Sequence, residues 1–152
     1  MKQSMDWWIQ TSILDKPKFF KEKDIPKKAI GFVYLMKFTK NGKEYKYIGK
    51  KNFYSNRKKK FGKKALAAIT DKRIKKYEMI KKLSYINYFS SNEEIKKAYK
   101  EGICINRRIL KICFTKSELT YEETRFQFLN NVLKQDEFLN KNILGRFYKG
   151  KV

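Results

Sequence analysis

Two tyrosines, Tyr34 and Tyr47, stand on either side of an Asn41-Gly42 dipeptide. Asn-Gly is the strongest short signal for a two-residue hairpin, because a type I′ turn needs positive φ at both central residues. If these two residues form the loop, Lys40 faces Lys43, Met36 faces Tyr47 and Tyr34 faces Gly49. The two phenols are then diagonal neighbours on one face, roughly 7–8 Å apart by Cα. A one-residue bulge in the hairpin would put them on opposite faces. The chain carries 38 Lys and Arg against 15 Asp and Glu, a net charge of +23 over 152 residues. Paired phenols on so basic a domain suggest chemistry on a polyanion.

Composition narrows that chemistry. Histidine is absent, which excludes Cys/His zinc sites, Ser-His-Asp hydrolysis and nucleases with a histidine base. A hydrolytic base must come from Asp, Glu, Lys, Tyr or a metal-bound hydroxide. Cys104 and Cys113 form no CxxC motif and read as reduced thiols, at least one of them buried. Hydrophobic residues make up 41% and aromatics 16%, too many for a disordered basic tail. No apolar run approaches the ~18 residues that span a bilayer. The start, Met1 to Asp6 and then Trp7-Trp8, lacks the pattern of a signal peptide, so a cytoplasmic location is expected.

The elements that must position the tyrosines follow from periodicity. Residues 1–28 read as an N-terminal arm whose Trp7, Trp8, Ile9, Ile13, Leu14, Phe19 and Phe20 could cover the core, with Pro17 and Pro26 breaking any long element. Alternation from Ala29 gives the first hairpin strand, and Lys43 to Gly49 the second. Lys50 to Lys64 reads as a basic loop or short helix. Ala65 to Leu83 reads as a lysine-studded helix. Ser91 and Glu94 form a capping-box pattern opening a helix that Gly102 can end. Arg107 to Phe114 reads as a third strand. Thr120 and Glu123 resemble another capping box, in a helix that starts there or nearer Ser117 and runs to about Leu133. Residues 136–152 read as a tail that packs near Asn140 and Ile143. The order implies an α+β domain: a small three-stranded antiparallel sheet flanked by helices, with an N-terminal arm.

At this point the residues resemble the GIY-YIG nuclease family, in its phage-type or homing-endonuclease-like form. One half of the signature stands as Gly31-Phe32-Val33-Tyr34, the other as Tyr47-Ile48-Gly49-Lys50-Lys51. Arg57 lies where a family arginine is expected after the second tyrosine. Glu123, between Leu119 and Gln127, fits the family glutamate, and Asn140 fits a family asparagine near the C-terminal end. Tyr88-Phe89-Ser90-Ser91 is similar to an aromatic-Gly-Ser-Ser stretch, with Phe89 where glycine is usual. The resemblance covers 29–145, taken as the nuclease domain, with 146–152 as a tail. Phe32 in place of isoleucine is an apolar swap; Phe89 and the Lys-rich segment after Arg57 depart from the pattern on the substrate-contacting surface.

The resemblance implies metal-dependent hydrolysis of a DNA phosphodiester. Glu123 would be the sole protein ligand to one Mg²⁺ or Mn²⁺, water and phosphate oxygens completing the shell. Arg57 would hold the scissile phosphate. Tyr34 would orient or deprotonate the attacking water, a base role that needs its pKa of about 10 depressed, with Lys50, Lys51 and Arg57 supplying the field. Tyr47 would hydrogen-bond the water or phosphate, and Asn140 would help fix the site. Lys50, Lys51, Lys58, Lys59, Lys60, Lys63 and Lys64 would contact phosphates of double-stranded DNA. No membrane partner is expected, oligomeric state is not readable, and a phage-encoded chain would act in the cytoplasm of a bacterial host.

Other readings stay open on the sequence. The tyrosines are also an ordinary cross-strand pair, Glu123 an ordinary capping residue, Asn140 a turn residue. A catalytically inactive nucleic-acid-binding module on the same scaffold would share the basic surface without needing a metal. A restriction-type Asp…Glu-x-Lys arrangement could use Asp24 with Glu44-Tyr45-Lys46. Against it, Glu44 would sit beside the hairpin turn, and Asp24 precedes Ile25-Pro26 rather than closing a strand.

Overall fold

A computed structural model describes residues 6–10, 12 and 14–152. In chain order the elements are β1 (Trp7–Ile9), β2 (Lys18–Phe20), a 3₁₀ turn (Glu22–Asp24), β3 (Gly31–Lys40), β4 (Lys43–Asn52), β5 (Tyr54–Lys60) and α1 (Lys63–Ala68). They continue with β6 (Tyr77–Leu83), α2 (Glu93–Lys100), β7 (Asn106–Cys113), α3 (Lys116–Leu129), β8 (Asn142–Ile143) and β9 (Phe147–Tyr148).

The class is α+β, but the sheet differs from the three antiparallel strands expected. Five strands are hydrogen-bonded in the order β2-β1-β7-β3-β4. The sheet is mixed, because β1 runs parallel to β7. The N-terminal residues thus extend the sheet rather than only covering it. Trp7, Ile9 and Phe20 are buried, whereas Leu14 and Phe19 are exposed; Ile13 lies outside the described residues.

The hairpin has the expected register. Lys40 faces Lys43, Met36 faces Tyr47 and Tyr34 faces Gly49, and Asn41 and Gly42 both have positive φ. A bulge does occur beside Tyr34, but on the β7 side, where the register shifts between Val33 and Tyr34. The β3–β4 ladder is uninterrupted, so the tyrosines stay on one face.

Strand β3 is buried on both faces. Phe32, Tyr34, Met36 and Phe38 pack with Trp7, Phe53, Tyr85, Phe89 and Ile95 of α2. Val33 packs oppositely with Ile48, Leu119 of α3, Val132, Phe138 and Ile143. The sheet is therefore a middle layer between α2 with its preceding loop and α3 with the C-terminal segment.

Two stretches take a different form from the sequence expectation. Lys50 to Lys64 is largely strand, and the helix expected over Ala65 to Leu83 is only the short α1 followed by a turn and β6. A helix through 72–82 would set Lys72 against Lys75 and Lys76, and Arg73 against Lys76, at like-charge i,i+3 and i,i+4 spacings. Pairing β6 with β5 instead places every cation of the two strands opposite a non-cation: Arg57–Ile80, Lys58–Met79, Lys59–Glu78, Lys60–Tyr77, Ser55–Lys82 and Asn56–Lys81.

The helix caps also shift. Asn92, not Ser91, caps α2, accepting from the Glu94 and Ile95 N–H groups. Thr115 caps α3, accepting from Glu118 N–H at 3.0 Å, so Glu123 lies in mid-helix and α3 ends at Leu129. Cys113 is buried and Cys104 exposed, both unbridged; burial pushes the Cys113 thiol up to about 11, a chemically quiet thiol. No described helix is long and apolar enough to cross a membrane.

Candidate active site

Strand β4 is the sheet's edge on this side, and an edge strand leaves backbone N–H and C=O groups pointing outward. Each outward residue meets a different partner. Lys46 N–H donates to Glu137 O and Lys46 O accepts from Leu139 N–H, both at 2.7 Å. Ile48 is paired by one side chain: Asn140 Oδ1 accepts its N–H at 3.1 Å and Asn140 Nδ2 donates to its carbonyl at 2.9 Å. Gln127 Nε2 adds a second bond to that carbonyl at 3.1 Å. Beyond it, the Lys50 N–H stands near enough to the Glu123 carboxylate to favour its charged form. Asn140 is 2% exposed and takes the place of a neighbouring strand.

These contacts border a cleft of about 500 Å³ lined by Tyr47, Lys50, Ser91, Glu123, Gln127, Asn140 and Lys141, with Glu93 and Glu94 from the first turn of α2. Helical spacing puts Glu123 and Gln127 on one stripe of α3. Burial raises the Glu123 carboxyl pKa above its ordinary 4.5, with the Lys50 charge and N–H opposing the rise. Lys50 Nζ itself donates to Thr120 Oγ1 at 2.8 Å. Among the described residues no cation lies within ion-pairing distance of Glu123. Its neighbour Glu122 points elsewhere, paired with Arg125 at 2.6 Å and Lys111 at 3.3 Å. Burial pulls the Glu122 pKa upward, but those two partners outweigh it and hold it below its ordinary value.

The tyrosine rings lie 6.2 Å apart, but only Tyr47 lines the cleft. Tyr34 is 1% exposed and packs edge-on to Trp7 and Phe32. Its hydroxyl donates to Ser90 Oγ at 3.2 Å and lies 3.3 Å from the Tyr88 hydroxyl. Burial, reinforced by Tyr88, holds the Tyr34 pKa well above 10. Tyr47 is raised as well, by burial first and then by the Glu123 charge, against a lowering hydrogen bond with Ser91. Both phenols therefore shift opposite to the depression expected from Lys50, Lys51 and Arg57, because burial dominates and none of those cations acts on either ring. Lys51 turns away toward the Tyr88 ring, 4.8 Å from its centroid, and burial lowers its pKa.

The signature glycines are packing requirements. A Cβ on Gly49 would lie 2.6 Å from Tyr34 Oη and 2.9 Å from Tyr47 Cε1. A Cβ on Gly31 would lie 2.6 Å from Lys51 O and 2.9 Å from Leu119 Cδ2.

The structure thus brings Tyr47, Lys50, Glu123 and Asn140 to one cleft, with Tyr34 directly behind. Arg57, Lys58, Lys59 and Lys60 lie instead on β5, exposed, and Lys63 and Lys64 on α1; none of the six lines the cleft. The site residues that sequence reasoning did not assign are Tyr88, Ser90, Ser91, Thr120, Gln127 and Lys141. The Tyr88-Phe89-Ser90-Ser91 string was the available signal; the backbone that favours glycine falls at Ser90, φ +69°, one residue after Phe89. The Asp24 and Glu44 pairing fails on geometry. Asp24 accepts the Lys21 N–H at 2.9 Å just after β2, while Glu44 is on β4 at the opposite edge of the sheet, four strand spacings or roughly 19 Å away.

The fold is thus an α+β domain in which a hairpin carrying the two tyrosines is set against a helix that delivers a glutamate to the cleft that Tyr47 lines. The family model described as "Putative endonuclease segE, GIY-YIG domain" matches residues 13–143, and the chain belongs to the GIY-YIG family. Neither the comparison with curated proteins nor that with solved structures gives a match.

Proposed function

We propose that the chain is a metal-dependent DNA endonuclease, with residues 29–145 as its nuclease domain, hydrolysing phosphodiester bonds in the cleft between β4, α2 and α3. One observation carries this: the half-buried Glu123 carboxylate, raised in pKa and free of an ion pair among the described residues, faces a cleft shared with Tyr47 and Lys50 of the signature strand. A buried carboxylate without a counter-ion is costly, and a hard divalent cation with oxygen ligands would offset that cost. No cluster of three or more His, Cys, Asp or Glu occurs among the described residues. Glu123 would therefore hold Mg²⁺ or Mn²⁺ as its one protein carboxylate, leaving the other positions to water and phosphate, which suits an ion that keeps its waters. When bound, such an ion stabilises negative charge on the reacting phosphate.

The chain's own groups would do the rest. Tyr47 keeps its proton and donates a hydrogen bond to the water or phosphate. Tyr34, also protonated, supports the Tyr47 ring and fixes its setting through Ser90 and Tyr88. Lys50 supplies positive charge at the cleft wall. Asn140 and Gln127 hold Ile48, and with it the strand between Tyr47 and Lys50. Arg57 would contact DNA phosphate from β5, as would Lys51 and the lysines beyond it.

The test is plasmid DNA incubated with wild type and Glu123→Ala, with and without Mg²⁺. Products only with wild type and metal are expected; full cleavage by Glu123→Ala would refute the site. One observation favours a second reading, a basic binding module without catalysis: both phenols hold their protons in the isolated chain. Salt-sensitive binding with no products in Mg²⁺ or Mn²⁺ would select it.

A further inference from the structure

Strands β5 and β6 form a two-stranded sheet of their own, separate from the main one. Its root is fixed: Phe53 is fully buried, and Ser84 N–H donates to Phe53 O at 3.0 Å. Beyond the root, the residues from Asn56 to Lys60 and from Glu78 to Lys82 are exposed. From Tyr54 to Leu83 the sequence has twelve Lys and Arg against Asp71 and Glu78, and Asp71 is paired with Arg73. A lone two-stranded ribbon is marginal in water, and this one gains little from apolar burial.

We infer that this ribbon is a duplex-binding arm that enters the major groove, an inference resting on the reading of the chain as a DNA endonuclease. Residues paired across an antiparallel ribbon share a face. Lys58, Lys60 and Lys81 therefore stand on one face and Arg57, Lys59 and Lys82 on the other. Docking flat on a surface would use one face only. Insertion between two walls of phosphate uses both. The major groove, about 12 Å wide, admits a two-stranded ribbon, whereas the minor groove, about 6 Å wide, does not. Seven residues per strand span roughly 24 Å, enough to follow the groove. Exposed Met79 and Ile80 are available to thymine methyl groups. A second copy of the ribbon is excluded as occupant by like-charge repulsion.

The test measures binding of a labelled duplex across a salt series, with every protein carrying Glu123→Ala so that the DNA stays intact. Lys58→Gln/Lys59→Gln/Lys60→Gln on the ribbon is compared with Lys27→Gln/Lys100→Gln/Lys134→Gln, three exposed lysines elsewhere. The ribbon triple should lower the log–log salt slope by about 2–3 and weaken binding about tenfold or more, at roughly 0.9 for each phosphate no longer neutralised. The control triple should leave both near the parent. Lys81→Gln/Lys82→Gln, on the other strand, should lower the slope by about 2. N7-methylation of guanine, which marks the major groove, should interfere with binding. Equal losses from the two triples, or interference confined to minor-groove N3-methyladenine, would overturn the inference. Cleavage assays of the Glu123→Ala parent separate the two claims: cleavage retained there sinks the nuclease site and leaves the ribbon result standing.

Discussion

Gly49→Ala tests whether the close approach of the two tyrosines is what the second signature string provides. The added Cβ would lie 2.6 Å from Tyr34 Oη, 2.8 Å from Tyr34 Cζ and 2.9 Å from Tyr47 Cε1. These atoms belong to rigid rings, so no flexible chain end can give way. Tyr34 is further held by Trp7, Phe32 and its hydrogen bond to Ser90. To regain an ordinary contact of 3.4 Å, the hydroxyl must retreat by 3.4 − 2.6 = 0.8 Å. Overpacking of this kind costs about 1–3 kcal/mol, while alanine in a strand recovers about 0.5–1 kcal/mol over glycine. The net loss, up to about 2.5 kcal/mol, lowers Tm by up to about 10 °C in a domain of this size. Activity should suffer more, because misplacement of about 1 Å can cost on the order of 100-fold. Thermal melting by circular dichroism and initial rates of plasmid nicking read the two effects separately. Adding Tyr34→Phe removes the nearest atom but leaves Cζ, so the double variant should recover part of the Tm loss. A Gly49→Ala protein that melts and cleaves like wild type would refute the packing account.

Asn140→Ala should cost about 1–3 kcal/mol, the penalty for a buried Ile48 N–H left without a partner; an unchanged urea midpoint would show that the asparagine does not cap the edge. Glu123 has a folded-state pKa raised by burial, so its contribution to stability is fully present below its unfolded value near 4.5 and is lost as pH rises through the folded value. Metal-free Glu123→Gln should therefore melt above wild type at pH 7–8 and level with it near pH 4, and a pH-independent difference would contradict this. Ser90 has φ +69° and its hydroxyl accepts from Tyr34 Oη and Asn92 N–H. Ser90→Ala and Ser90→Gly both remove those bonds, but glycine escapes the left-handed penalty of about 1–2 kcal/mol, so the glycine variant should be the more stable in chemical denaturation.

The hairpin was legible because its determinants are local. Asn41-Gly42 dictates the turn, the turn dictates the register, and the register puts Tyr34 beside Tyr47. What escaped depends on partners distant in sequence. Three residues, Trp7–Ile9, carry no usable period, and their strand joins the main sheet only because β7, about a hundred residues later, supplies the parallel edge. The apolar spacing in Ala65–Leu83 mimics a helix, and only pairing with β5 reveals a strand. The direction of the tyrosine pKa shifts was equally invisible, since it depends on how deeply Trp7, Phe32 and Tyr88 enclose the ring of Tyr34. The lysines could be counted from the sequence, but the burial that governs the two phenols could not.

Edge-strand geometry joins these features. Residues 46 and 48 of β4 turn their backbone groups outward, and the chain covers them with backbone of the 137–139 segment and with the amide of Asn140; beside residue 50 stands the carboxylate of Glu123. That carboxylate leaves a charge at the cleft wall instead of closing the edge. One helical turn earlier on α3, Leu119 Cδ2 would be 2.9 Å from a Cβ on Gly31, and the Lys51 carbonyl of β4 nearer still at 2.6 Å. Gly31 therefore lets β3 lie close to the β4 backbone beneath Leu119, and Gly49 lets the two phenols pack close over β4. Neither glycine carries a reactive group. One string holds the hairpin backbones close beneath α3 and the other seats the tyrosines, so a substitution in either should disturb the cleft while Tyr47 and Glu123 themselves remain.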